Sequence, residues 1–164
     1  MSESENPIDP SEYRRVLGNF PTGVTVVTCH DDDGPAGMAI GSFASVSLDP
    51  ALVAFFVGKE SGTWARIEKS GSFCVNVLAA DQVELCGTMA SRAEDKFAGV
   101  DWTPAGSGSP VLPDVIAVID CDIDKVHDGG DHWIVVGRVL TLDTGRESDP
   151  MVFYRGGYGT YAAL

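Results

Sequence analysis

Apolar residues recur along this chain with two different periods. Tyr13, Val16, Leu17 and Phe20 fall at i, i+3, i+4 and i+7, one face of a short amphipathic helix. Asp9-Pro10-Ser11-Glu12 precedes it with a capping Asp, a Pro at the first helical position and a Glu three residues after the cap. Gly18 and Pro21 close it. From Gly23 the period becomes two: Gly23-Val-Thr-Val-Val-Thr-Cys29 is rich in β-branched residues and ends at the turn cluster Asp31-Asp-Asp-Gly-Pro35. A cation site is the other reading of that Asp run, but the remaining ligands of a calcium loop are missing, and a solvated hairpin turn is expected.

Gly37–Ile40 and Phe43–Leu48 read as extended segments broken at Gly41-Ser42. Asp49-Pro50 turns the chain into the strand Leu52–Val57. Ser61-Gly-Thr63 starts a helix over Trp64–Lys69, Gly71 ends it, and Phe73–Leu78 is another strand. Residues 81–90 form a further helix carrying Val83, Leu85, Cys86 and Met89. Residues 91–114 are irregular, and so long a stretch inside a compact domain points to a functional segment or a lid. Val115–Val126 and His132–Leu142 form an antiparallel pair around Asp128-Gly-Gly130, and Met151–Tyr154 is a last short strand.

Six or seven strands with two or three short helices, linked hairpin to hairpin, describe a mainly β protein. The regular βαβ alternation of a doubly wound sheet is absent, as is its G-x-G-x-x-G turn. A small closed antiparallel barrel is the economical architecture. Residues 1–8 read as a disordered tail and 9–164 as one domain, as a length of 164 suggests.

Composition narrows the function by exclusion. Lys plus Arg total 11 against 24 Asp plus Glu, a net charge of −13, which disfavours nucleic acid and anionic lipid as partners. Nineteen glycines mark many tight turns and close backbone approaches. The longest apolar run, Ala51–Val57, is far below the ~20 residues of a membrane span, and the first residues lack the features of a secretory signal. Cys29, Cys74, Cys86 and Cys121 form no C-x-x-C pair, and buried reduced thiols in a cytoplasmic protein are expected.

Three segments carry candidate chemistry. The break at Gly41-Ser42 exposes backbone groups that a flat ligand edge could use, or it is a β-bulge alone. Lys59-Glu-Ser-Gly-Thr63 places two hydroxyls and an ammonium at a helix start, an anion site or simple capping. His127-Asp-Gly-Gly-Asp-His132 invites a metal, but the hairpin glycines splay the neighbouring side chains and no third cluster completes a site. A polar turn contacting an anionic partner or ligand fits it better.

Five motifs in order now carry a resemblance: Phe20-Pro-Thr-Gly-Val-Thr-Val-Val-Thr28, Gly41-Ser-Phe-Ala-Ser-Val-Ser-Leu-Asp-Pro50, Ser72-Phe-Cys-Val-Asn-Val-Leu78, Asp95-Lys-Phe-Ala-Gly-Val-Asp-Trp102, and Gly130-Asp-His132 with Gly137. Together they resemble the short-chain flavin reductases, the reductase components of two-component flavin-dependent monooxygenases. The likeness covers Tyr13 to Tyr158. It implies an FMN-binding split β-barrel (a Greek-key antiparallel barrel) that forms a homodimer. It implies FMN or FAD reduced by NADH or NADPH, with free reduced flavin passing to a partner monooxygenase.

By position, the resemblance assigns Met38, Ala39, Ile40, Gly41, Ser42 and Phe43 to the isoalloxazine and ribityl edge. Ser61 and Thr63, with Lys59 as helper, are assigned to the phosphate, and Lys96 and Phe97 to the phosphate side. Asp131 and His132 are assigned to the nicotinamide and Tyr158 to the flavin. Ile40-Gly41 stands where the family commonly carries small polar residues, so backbone contacts are the ones expected there. Hydride transfer between stacked rings needs positioning and no protein nucleophile, consistent with the lack of an acid–base dyad. His132 is expected to orient the dinucleotide. The alternatives are a flavin-binding electron-transfer module without NAD(P)H activity, or a barrel with no cofactor.

Overall fold

The computed structural model describes residues 7–164, and residues 1–6 of the expected tail lie outside the described residues. Helix α1 (Pro10–Leu17) begins as its sequence dictates: the Asp9 carboxylate accepts from Ser11 N at 2.8 Å and Glu12 N at 3.1 Å. Its apolar face forms but finds no core in this chain. Tyr13, Val16, Leu17 and Phe20 are all at least half exposed.

The strands that follow are β1 (Thr22–Gly23), β2 (Thr25–Asp31), β3 (Gly34–Ile40), β4 (Ala44–Ser47) and β5 (Leu52–Gly58). Then come α2 (Gly62–Ser70), β6 (Ser72–Val77) and α3 (Val83–Ala90). The chain ends with β7 (Thr103–Pro104), β8 (Pro110–Val111), β9 (Ala117–Gly129), β10 (His132–Thr144), β11 (Val152–Tyr154) and β12 (Gly157–Gly159). The two-residue strands and β12 carry too little pattern to be seen in sequence.

Seven strands form one antiparallel sheet in the order β3-β2-β6-β9-β10-β5-β4. Its two edge strands are consecutive in the chain, joined only by residues 41–43. Six inter-strand steps would hold the edges of a flat sheet ~29 Å apart, whereas Ile40 to Ala44 reaches at most ~14 Å. The sheet therefore curls into a barrel that is split between β3 and β4. At the bend Ser42 continues the β4–β5 register: its Oγ donates to Phe56 O and accepts from Phe56 N, both at 2.9 Å.

The barrel interior is filled by Val27, Cys29, Phe55, Phe73, Val75, Cys121 and Val135, with Trp64 and Ile67 of α2 among them. The opposite face of β2 and β6 is covered as well. Val24, Val26 and Leu78 pack there with Cys86 and Met89 of α3, and with Phe97, Leu112 and Val115. Two buried faces explain why these strands are nearly continuous apolar runs.

The long irregular segment is no free lid. Asn76 accepts from Leu112 N at 2.9 Å and donates to Pro110 O and Val26 O, and Thr28 Oγ1 donates to Pro110 O at 2.6 Å. Asp120, buried, accepts from Ser107 N and Oγ. Buried polar side chains have to find partners, and these find them in the loop, pinning residues 106–112 to the sheet.

The Asp run is only partly solvated. Asp31 is held by Arg66 of α2 at 3.0 and 2.5 Å, and Arg66 also donates to Gly34 O at 2.8 Å. That pairing lowers the Asp31 carboxyl to about 2. All four cysteines are unpaired and buried. Burial pushes the thiols of Cys29 up to about 11 and of Cys74 and Cys121 to about 12, which leaves them unreactive.

Candidate functional site

The start of α2 is where the sequence placed an anion. Ser61 is the N-cap, its Oγ accepting from Trp64 N at 3.2 Å and lying 3.8 Å from Met38 Sδ. Simple capping therefore accounts for this hydroxyl. The N–H groups of Gly62 and Thr63 in the first turn have no partner within the helix. They line a cavity of about 490 Å³ with Pro35–Gly37 of β3 and the segment 91–97.

Arg66, Arg92 and Lys96 line this cavity together with the carboxylates Glu94 and Asp95, and the Arg66 guanidinium is paired with Asp31. Lys96 Nζ donates to Gly37 O at 3.1 Å and Met89 O at 2.9 Å, so it ties the edge of β3 to the end of α3. An ammonium has three donors, and one remains for a ligand. Burial holds its pKa below the ordinary lysine value. Phe97 lines the same cavity while packing into the outer core. Of these residues Arg66, Arg92, Gly37 and Gly62 were not legible as site residues, because nothing local distinguishes them. Gly37 is glycine for fit: a Cβ there would meet Met89, Thr28 and Phe97 at 3.3–3.4 Å.

Residues 38–43 contribute mainly structure. Met38 and Ile40 are buried in the barrel core, Ala39 packs against the outer core, and Phe43 packs against the barrel interior. Ser42 is consumed by its bonds to Phe56. At Gly41 a Cβ would lie 3.1 Å from Thr22 Oγ1, a buried hydroxyl with no hydrogen-bond partner among the described residues. What this stretch offers a ligand is backbone, since β3 is an edge strand with no neighbour on one side.

The third segment is the β9–β10 hairpin. Gly130 has φ +83°, and Asp128 Oδ1 accepts from Gly130 N at 3.0 Å. His132 Nδ1 lies 2.7 Å from Asp131 Oδ1, a pairing that holds the Asp131 carboxyl below its usual range. His132 sits opposite Gly58 in the β10–β5 ladder, so tertiary pairing brings it beside the approach to α2. Lys59 completes the junction: its N–H donates to Asp131 O at 3.0 Å and its Nζ to Asp128 Oδ2 at 2.8 Å. The ammonium of Lys59 thus faces the hairpin and not the helix start.

Tyr158 stands apart. It lies on β12, half exposed, its hydroxyl 3.5 Å from Cys86 Sγ and its ring 5.4 Å from Phe153. It does not line the cavity at α2. A second cavity, of about 560 Å³ between α1 and the β11–β12 turn, holds none of the expected site residues.

The fit to a phosphate-bearing flat cofactor is therefore one of backbone and charge. At Gly58 and Gly62 an added Cβ would meet nothing within 4 Å, so bare main chain borders open space on both sides of Lys59. A helix start with free N–H groups, the third donor of Lys96 and Arg92 supply the anion's partners. Among the described residues no group of three His, Cys, Asp or Glu is placed to hold a metal ion.

Comparison with known proteins identifies the family and the fold. The flavin reductase-like domain model matches residues 17–162. The reductase subunit HsaB of a flavin-dependent monooxygenase from Rhodococcus jostii is 54% identical over 92% of this chain and 77% of its own length. The crystal structure of nitrilotriacetate monooxygenase component B from Mycobacterium thermoresistibile superposes with a TM-score of 0.92 at 47% identity, covering 95% of this chain and 88% of that one. The Streptomyces globisporus NADH:FAD oxidoreductase SgcE6, solved with NAD and FAD fragments, gives 0.90 at 38% identity over 98% of both chains.

Proposed function

Starting from a chain that belongs to the flavin reductase-like domain family, we propose a division of labour among its residues for the flavin reductase reaction. The protein is an oxidoreductase that uses NADH or NADPH to reduce FMN or FAD and supplies free reduced flavin to a partner monooxygenase component. The flavin supplies the hydride acceptor, and everything asked of the protein is binding, alignment and release.

The observation that carries the residue assignment is the continuity of main chain from Gly58 through Thr63. One end of this stretch pairs with His132 and the other opens α2. A ligand phosphate at Thr63, Gly62 and the third donor of Lys96 would extend its ring system along the bare backbone of Gly58 and the Gly41-Ser42 bend. The half-exposed imidazole of His132 would then border the nicotinamide. Asp131, bonded to Nδ1, fixes the orientation of that imidazole and leaves Nε2 to the dinucleotide.

The family assignment of Tyr158 requires a contribution from outside this protomer's own cavity, and a homodimer meets that requirement. In support, Leu140 and Leu142 of β10, Phe56 of β5 and Val46 and Leu48 around β4 remain exposed on adjoining strands, as does the apolar face of α1. Large apolar side chains left exposed on neighbouring strands are surface that a second protomer would cover. The unpaired cysteines suit a reducing compartment, and the assigned location is the cytoplasm.

The deciding assay crosses FMN and FAD with NADH and NADPH in steady state, following nicotinamide absorbance. Oxidation that depends on added flavin is expected. An absence of oxidation in all four combinations would leave the electron-transfer module in its place.

A further inference from the structure

The sequence motif around Lys59 pointed its ammonium at a phosphate, and the structure puts it elsewhere. Nζ sits 2.8 Å from Asp128 Oδ2 and 4.4 Å from the ring centroid of Trp133, so it is held between a carboxylate and an indole face on the β9–β10 hairpin. Its own N–H donates to Asp131 O at 3.0 Å. Asp128 in turn accepts from Gly130 N, closing the turn from within. Lys59 therefore touches the hairpin by backbone, by charge and by ring contact, while Ser61 and Thr63 lie two and four residues further along the same chain.

Resting on the flavin reductase reading, we propose that Lys59 is a positioning residue: a strut that holds the nicotinamide-side hairpin, and with it His132, at a set height against the flavin-side loop Gly58–Thr63. The ladders hold His132 between Gly58 and Gly129, which would leave the two-residue tip Gly130-Asp131, and with it the carboxylate that orients the imidazole, free to hinge at Gly130. The Lys59–Asp128 pair and the Lys59–Trp133 contact remove that freedom. Stacking of two rings is sensitive to displacements of an ångström, so a hinge at the nicotinamide side degrades alignment without touching flavin contacts.

The test uses the full-length protein with Lys59→Met, which keeps the stem and removes the charge, Lys59→Arg, and Asp128→Asn. Hydrogen exchange of the Gly130 and Asp131 amides is measured without ligand. The KM for NADH and kcat are measured with saturating FMN, and FMN and riboflavin affinities by fluorescence quenching. A partly exposed pair gives a modest effect: Lys59→Met should speed exchange at the hairpin tip and raise KM for NADH, each by about fivefold. The ratio of FMN to riboflavin affinity should stay the same, Asp128→Asn should reproduce the effect, and Lys59→Arg should restore most of it. Unchanged exchange at the hairpin tip overturns the strut. So does selective loss of FMN over riboflavin affinity, which returns Lys59 to the phosphate. If the wild-type protein oxidises no NADH with any flavin, the functional reading fails, while the exchange measurement still decides the strut by itself.

Discussion

Gly137 offers the sharpest check on the packing that positions His132. It lies on β10, five residues after His132, where the β9–β10 register shifts. A Cβ added there would stand 2.4 Å from Phe73 Cζ, 3.0 Å from Cε1 and 3.2 Å from Cys121 Cβ. Ordinary contact begins near 3.4 Å, so the ring must withdraw by about 1 Å. It has little room: Phe73 is fully buried and stands edge-on to Phe55 with centroids 5.1 Å apart. Close-packed interiors resist such shifts, so Gly137→Ala should cost about 2–3 kcal/mol, in the upper part of the overpacking range. For a chain of this size that lowers Tm by roughly 5–10 °C, readable by thermal unfolding. Phe73→Leu in the same chain should recover part of the loss, giving a coupling of about 1 kcal/mol or more in a double-mutant cycle. A Tm within about 2 °C of wild type, or strict additivity of the two changes, would refute the reasoning.

Four further outcomes are expected. His132→Ala should raise KM for NADH while flavin affinity changes little, and the reverse pattern in steady-state kinetics and fluorescence titration removes the residue from the nicotinamide side. Thr63→Ala should weaken FMN binding and leave riboflavin binding intact, whereas equal weakening of both cancels the phosphate assignment. Because Arg66 lowers the Asp31 carboxyl to about 2, its contribution to stability is complete above the unfolded value near 3.8 and is lost as pH falls through about 2. The Tm deficit of Asp31→Asn should therefore be full at pH 7 and shrink toward pH 2, and a pH-independent deficit contradicts the pairing. Leu142→Asp should shift the protein toward monomer in light scattering, and an unchanged mass takes this strip out of the interface.

The elements themselves were largely legible. The Asp9 cap, the period-two run before Asp31, the Ser61 start and Gly71 stop of α2 and the Gly130 hairpin depend on neighbours a few residues away, and each formed where its residues call for it. The anion-ready α2 start and the His132 turn were legible for the same reason. Residues 91–114 divide: Ser91–Phe97 line the candidate cavity, whereas length and irregularity do not reveal that Asn76, Thr28 and Asp120 hold residues 106–112 down from distant strands. The apolar face of α1 was legible as a face, but nothing local says whether its cover lies in the same chain.

What the sequence determined by itself is the three helices and the longer strands, their caps and turns, the buried cysteines and the candidate chemistry, because each follows from backbone preference or burial within one segment; the two-residue strands and β12 form only through their partners. Only the tertiary structure decided the strand order that closes the barrel across Gly41–Phe43, the pairing of Ser42 with Phe56 and the meeting of Lys59 with Asp128. Those pairings join residues 14 to 69 positions apart, and their partners are selected by the shared burial of a whole sheet. No local period records that selection.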